Sequence, residues 1–331
     1  MNTLQATWSR SISKKFAYYS WFVLLYCVLV ILWGAFVRAT GSGAGCGSHW
    51  PACNGEVFHR PQSVETMIEL SHRLTSAALG ILGIIQLIWA FRITERGHRI
   101  RRAAVWAFVF VLIEGALGAG LVLFELVAGD TSTTRAVVVG LHLVNTMILV
   151  GTYVAVAWYA SGGQQVRLRD HRQVQALFGL AMFGMLVLSA FGAITALGDT
   201  LFPAENLADG LAQKFDPEAH FAVRMRIWHP VLAILVSAYI LSIIYSMPDL
   251  RDTPIKNQFA WLTAGNIILQ VLLGGVNVLL LAPVWMQLVH LFLSNTLWIS
   301  LLLLTAVNAP ATAAVPAKST DKLPYPAATG D

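Results

Sequence analysis

Residues 66–92 read TMIELSHRLTSAALGILGIIQLIWAFR, and from Leu74 to Phe91 no charged residue interrupts them. An apolar run of this length crosses the roughly 30 Å hydrocarbon core of a bilayer as one helix. Seven further runs of the same kind lie near 16–38, 103–126, 134–160, 173–197, 219–247, 258–281 and 284–308. None alternates with the period of two that an outer-membrane barrel strand needs. Backbone polar groups in lipid must be satisfied within the segment, so helices are the expected form. The fold class is therefore an all-α polytopic membrane protein with eight transmembrane helices.

The composition agrees. Of 331 residues, 56% are hydrophobic and 12% charged, and the mean hydropathy is +0.65; a soluble domain carries about a quarter charged residues. Disorder, a secreted disulfide scaffold, a coiled coil and a nucleic-acid-binding domain are excluded. The net charge of +5 is explained by where the basic residues fall. Fifteen of the 22 Lys and Arg residues, among them Lys14, Lys15, Arg92, Arg96, Arg99, Arg101, Arg102, Arg167, Arg169, Arg251 and Lys318, sit on one side of the predicted spans. By the positive-inside rule that side is cytoplasmic, and both termini lie there. The first run exceeds a signal-peptide core and reads as a retained helix. With no Arg/Ser-rich presequence, a bacterial cytoplasmic membrane is the expected location. The Pro- and Ala-rich residues 309–331 read as a disordered cytoplasmic tail.

The two halves resemble each other. Gly34-Ala35-Phe36-Val37 recurs as Gly192-Ala193-Ile194-Thr195, and Glu114-Gly115-Ala116-Leu117-Gly118 as Gln270-Val271-Leu272-Leu273-Gly274. His72 corresponds with His229, and His142 with His290. Four helices separate each pair, so the repeats share one orientation. Two four-helix bundles side by side are expected, residues 1–160 and 161–308, each with a core able to hold a cofactor.

Of nine histidines, His49, His59, His98, His171 and His220 fall in or beside loops. His72, His142, His229 and His290 lie inside the even-numbered spans at matched depth, where an ionisable residue points to function. Two imidazoles per half suit the opposite faces of a planar haem. A zinc site would need more ligands converging on one point. One haem site in each half is the inference from these residues.

The halves differ in one carboxylate. Glu69 precedes His72 by three residues and shares its helix face, whereas Arg226 holds that place before His229. A buried carboxylate beside a metal-bound ring can relay protons or stabilise developing positive charge; pairing with Arg73 or Arg60 is the structural alternative. The asymmetry suggests one catalytic half and one half holding a permanent cofactor. Arg38, Arg73, Arg135, Arg224 and Arg226 cluster near the outer boundary, where they are candidates for pairing with haem propionates or for anchoring at the interface. Glu114 and Gln270 read as interhelical hydrogen-bonding positions beside small residues. In the first outer loop, Cys46 and Cys53 face an oxidising compartment that permits a disulfide between them, structural or electron-passing; Cys27, mid-helix, reads as a small buried residue.

Taken together, Gly34-Ala-Phe-Val-Arg38, Thr40-Gly-Ser-Gly, Trp50-Pro-Ala-Cys-Asn-Gly55, Glu69-Leu-Ser-His-Arg73, Leu141-His-Leu-Val-Asn145, Ile227-Trp-His-Pro230 and Leu288-Val-His-Leu291 resemble the haem A synthase family over all eight helices. The resemblance implies an oxidoreductase that converts the C8 methyl of haem O to a formyl through hydroxylated intermediates, supplying haem A to a terminal oxidase. It implies a resident haem b on the iron ligands His229 and His290, substrate haem between His72 and His142, and Glu69 as the acidic catalytic residue. Cys46 and Cys53 match the family's first-loop pair. The second cysteine pair of some bacterial members has no counterpart in residues 198–220, which puts electron passage between two disulfides in doubt. Membrane lipid, an electron acceptor, a haem O synthase and a second copy of the chain are the expected partners; no nucleic acid is. Two rival readings remain, a dihaem b-type cytochrome that only carries electrons and a transporter.

Overall fold

The computed structural model describes residues 2–57, 60–163 and 172–308. His59, Arg167, Arg169, His171 and the tail from residue 309 lie outside the described residues. Ten α-helices follow in order: α1 (Asn2–Ala39), α2 (Val64–Ile93), α3 (Arg99–Leu123), α4 (Thr133–Ala160), α5 (Arg172–Leu201), α6 (Leu207–Phe215), α7 (Phe221–Met225), α8 (Trp228–Ser246), α9 (Pro254–Leu279) and α10 (Val284–Asn308). Eight apolar spans result, α7 and α8 forming one of them. Among the described residues there is no strand, only an isolated bridge between Cys53 and Glu56. This is a multi-pass, all-helical membrane protein.

Local chemistry sets the helix ends. The hydroxyl of Ser63 accepts from the Thr66 N–H at 3.2 Å and that of Ser132 from the Arg135 N–H at 3.1 Å, each covering a donor the first turn cannot pair. Pro254 opens α9, where a missing N–H costs nothing. At the other end α3 stops at Leu123, before the expected residue 126, because Glu125 turns left-handed at φ 56°. Similarly α9 stops short of residue 281, where Leu281 and Ala282 have φ 58° and 53°.

The sixth span departs from the continuous helix expected over 219–247. It breaks at Arg226 and Ile227, between α7 and α8. Pro230 explains the break: it has no N–H for the carbonyl four residues back, and its ring crowds that carbonyl. The connection before it, expected as a loop, contains α6. That helix carries Leu207, Leu211 and Phe215 exposed along one face, one helical turn apart.

Helices α1 to α4 contact one another in a closed ring, α1 with α2, α2 with α3, α3 with α4 and α4 with α1. Helices α5, α8, α9 and α10 close a second ring in the same way. The rings meet along α1, α4, α5 and α10. There the buried Trp298 of α10 donates from its indole to the Met147 carbonyl of α4 at 2.8 Å.

A disulfide joins Cys46 and Cys53, closing the loop that folds back onto the start of α2. The Thr66 hydroxyl donates to the Gly45 carbonyl at 2.6 Å. A Cβ on Gly45 would lie 2.5 Å from the backbone of Glu65 and Thr66, so only glycine permits this approach.

Two outcomes follow from this packing. Leu301→Ala, at a fully buried position, lowers stability by about 2–5 kcal/mol, whereas Leu25→Ala, with Leu25 56% exposed on α1, changes it by less than about 0.5 kcal/mol; thermal unfolding in detergent compares them. Gly45→Ala lifts the loop from α2, and hydrogen exchange of residues 40–57 accelerates by about tenfold or more, the effect of a little over 1 kcal/mol.

Candidate functional site

A cavity of about 1640 Å³ runs between the helices and is lined by Glu69, His72, His142, His229, Gln270 and His290. Its walls are mostly apolar, and it exceeds the roughly 300–1,000 Å³ that hold one drug-sized ligand. The four span histidines expected from the sequence all reach it. Each lies roughly two turns into its span, at the end that carries the disulfide loop. Each also has a buried Nδ1 short of a well-aligned hydrogen bond, although that of His142 lies beside Glu114 and His229 has the Leu188 backbone in reach. Those of His72 and His290 are left unsatisfied, which native proteins rarely do without a functional reason.

Glycines seat three of the four rings. A Cβ on Gly34 would come within 2.9 Å of His72, one on Gly192 within 3.0 Å of His229, and one on Gly274 within 3.1 Å of His290. These are the glycines of the matched sequence segments, and their role is now physical: the neighbouring helix makes room for an imidazole. Gly118, the fourth glycine of the pattern, would meet nothing within 4 Å.

His229 and His290 face each other with ring centroids 6.4 Å apart and planes at 78°. Two metal–imidazole bonds of about 2 Å each, added to the inner halves of two rings, account for a separation of this size. The separation leaves room for a single metal ion between the two rings. Gln270 Nε2 lies 3.1 Å from His290 Nε2, at the lone pair a metal would take. His72 and His142 line the cavity with Glu114 beside them: Glu114 Oε1 is 3.4 Å from His142 Nδ1. Among the described residues no three His, Cys, Asp or Glu side chains group around a point.

Glu69 is buried, and both of its oxygens are engaged. Arg73 Nη2 donates to Oε1 at 2.5 Å, and the Cys46 N–H donates to Oε2 at 2.8 Å. Arg73 in turn donates to the carbonyls of His49 and Ala52 at 2.6 and 2.7 Å. The structural alternative for Glu69, pairing with Arg73, is thus present, and it also binds Glu69 to the disulfide loop. Since a carboxylate oxygen has two acceptor positions, Glu69 keeps room for a further partner in the cavity.

Arg38, Arg135 and Arg226 also line the cavity and are held by the chain itself. Arg38 donates to the Ala196 carbonyl at 2.6 Å, the Thr200 hydroxyl at 2.7 Å and Gln287 Oε1 at 2.8 Å, tying α1 to α5 and α10. Arg135 donates to the carbonyls of Ala128 and Asp130 at 2.7 and 2.6 Å. Arg226 pairs with Asp199 at 2.9 Å and donates to the carbonyls of Gly198 and Phe202. Arg224 is exposed. Asp199 and Gln287 were not singled out in the sequence; the signal for Asp199 was a lone carboxylate at the end of an apolar span.

The model of the COX15-CtaA family, described as cytochrome oxidase assembly protein, matches residues 17–302. A protein of Thermus thermophilus named protoheme IX farnesyltransferase is 45% identical over 287 residues, 86% of this chain and 47% of that protein. The chain thus spans about half the length of that relative. Proteins named heme A synthase are also similar. That of an Exiguobacterium species is 34% identical over 56% of this chain and 60% of its own length. That of Exiguobacterium sibiricum is 28% identical over 85% of this chain and 91% of its own length. With the family model covering most of the chain, and its histidines, glycines and first-loop cysteines gathered at one cavity, this protein belongs to the haem A synthase family.

Proposed function

We propose that the chain is a haem A synthase, an oxidoreductase that binds haem O in residues 1–160 and converts its C8 methyl to a formyl. Residues 161–308 hold a haem b through His229 and His290. The observation that carries the reading is the pair of facing imidazoles, His229 and His290, in a cavity that also reaches His72, His142 and Glu69. Relatives that this chain nearly spans are named heme A synthase. The Thermus relative named protoheme IX farnesyltransferase extends well beyond the match, which covers 47% of it; a farnesylating activity in the remainder would account for its name. A haem O synthase alongside, handing over its product, is the partner this suggests. The location is a bacterial cytoplasmic membrane with both termini inside.

Methyl to formyl, with water as the oxygen source, releases four electrons and four protons, in two-electron stages through a hydroxylated intermediate. The haem b supplies one-electron transfer towards an acceptor. The chain's residues bind, orient and handle charge. His72 and His142 flank the substrate; Glu69, fixed by Arg73 and the Cys46 N–H, stabilises positive charge at the methyl edge and passes protons. The apolar walls keep bulk water from the oxidised carbon. Arg38, Arg73, Arg135 and Arg226 line the cavity and, with five N–H donors each, are the candidate propionate partners; Arg224 is exposed and does not line it.

Extraction of the non-covalent haems from purified protein tests this directly. Haem B together with haem O, haem A or a hydroxylated form is expected, and His290→Ala removes the haem B fraction. Haem B alone, from a host that makes haem O, contradicts the substrate site. Glu69→Gln keeps both haems but lowers conversion by on the order of 10²–10⁴-fold, the range of general acid–base contributions; a cytochrome that only carries electrons retains its electron transfer in this variant.

A further inference from the structure

His142 is held differently from the other three span histidines. His72, His229 and His290 each lie against a glycine of a neighbouring helix, close enough that a Cβ there would approach the ring within about 3 Å. The glycine of α3 at the matching place, Gly118, is clear of His142. One turn earlier on the same helix stands Glu114. Its Oε1 is 3.4 Å from His142 Nδ1, and that Nδ1 is buried with no hydrogen bond. The carboxylate is itself aimed: the Asn145 amide donates to Oε2 at 2.6 Å and the Thr146 hydroxyl donates to Oε1. The Thr146 hydroxyl also lies 2.8 Å from the His142 carbonyl, the alternative acceptor for its single proton.

The counterpart on α9 works on the other ring nitrogen. Gln270 meets His290 at Nε2, and Gly274, one turn on, seats that ring. Glu114 meets His142 at Nδ1, leaving Nε2 for a ligand. A carboxylate that accepts the far N–H of a ligating histidine fixes its tautomer and direction and raises its basicity.

We propose that Glu114 is a positioning residue for His142: it accepts from Nδ1–H, aims Nε2 at the haem in residues 1–160, and makes this imidazole a stronger donor than the glycine-seated ligands of the other half. The proposal rests on the reading of His72 and His142 as the substrate pair. It gives the imidazole of residues 1–160 a charged acceptor at its far nitrogen, which Gln270, reaching His290 at Nε2, does not provide in the other half.

The test uses the full chain purified in detergent, titrated with haemin, which carries the iron and the propionates of the substrate. Glu114→Gln preserves side-chain size and a hydrogen-bond acceptor between α3 and α4. In this variant haemin affinity at residues 1–160 falls by on the order of 10- to 100-fold, as for other partners of metal-bound histidines. The midpoint potential of that haem rises, and the haem held by His229 and His290 keeps its potential. Glu114→Asp restores part of both changes. Gly118→Ala leaves spectra and affinity unaltered, whereas Gly34→Ala disturbs the low-spin signal of the same haem. Unchanged affinity and potential in Glu114→Gln overturn the proposal, as do equal shifts at both haems, which mark general loosening. His142→Ala separates this failure from that of the underlying reading. If His142→Ala abolishes the second haemin site while Glu114→Gln leaves it intact, the proposal alone fails. If His142→Ala leaves every haem signal unaltered, the substrate-pair reading fails and the proposal with it.

Discussion

Three of the four span imidazoles occupy a volume that a missing side chain opposite provides, and there the constraint falls on glycine. Gly34 faces His72, Gly192 faces His229, and Gly274 faces His290, each at a distance a Cβ could not share with the ring. The contacts cross from one helix to its neighbour, so they fix helix rotation and separation as well as ring position. A substituted glycine would push the helices apart or drive the histidine from the cavity. The fold and the candidate site are therefore one packing problem.

A second constraint ties the site to the disulfide-bearing end. Gly45 lets the loop lie on the backbone of α2, and there the Cys46 N–H reaches Glu69. The loop carbonyls of His49 and Ala52 hold Arg73, which holds Glu69 from the other side. The Cys46–Cys53 bond thus constrains the carboxylate through its own backbone as well as closing a loop. Electrons need not pass through it for the cysteines to matter to the site.

The spans were legible because eight apolar runs admit one solution in a bilayer, and the four histidines because each interrupts such a run. Helix ends were less so: the stops at Leu123 and Leu279 depend on left-handed backbone at Glu125, Leu281 and Ala282, residues whose side chains do not announce it. The break before Trp228 was readable from Pro230 in principle, though a proline near a span's start is usually tolerated. The arginines show a different limit. Arg38 bridges α1 to Gln287 on α10, a pairing 249 positions apart in the chain that no local pattern reveals.

Matched sequence segments do not imply matched chemistry. Glu114 and Gln270 occupy corresponding places, yet one approaches the Nδ1 of its histidine and the other the Nε2. Arg226 stands where Glu69 would, and it is consumed by Asp199. Glu69 is offset by Arg73 as Arg226 is by Asp199, so the difference that remains is Glu114, an acidic group beside a histidine of residues 1–160, against the neutral Gln270 in residues 161–308. In a cavity with low-dielectric walls such charges act over longer range than in water. Positive charge developing on a bound molecule is therefore better stabilised in the first half. A permanently held group in the second half would meet a more neutral setting, and a fixed cofactor that must not react is well served by that.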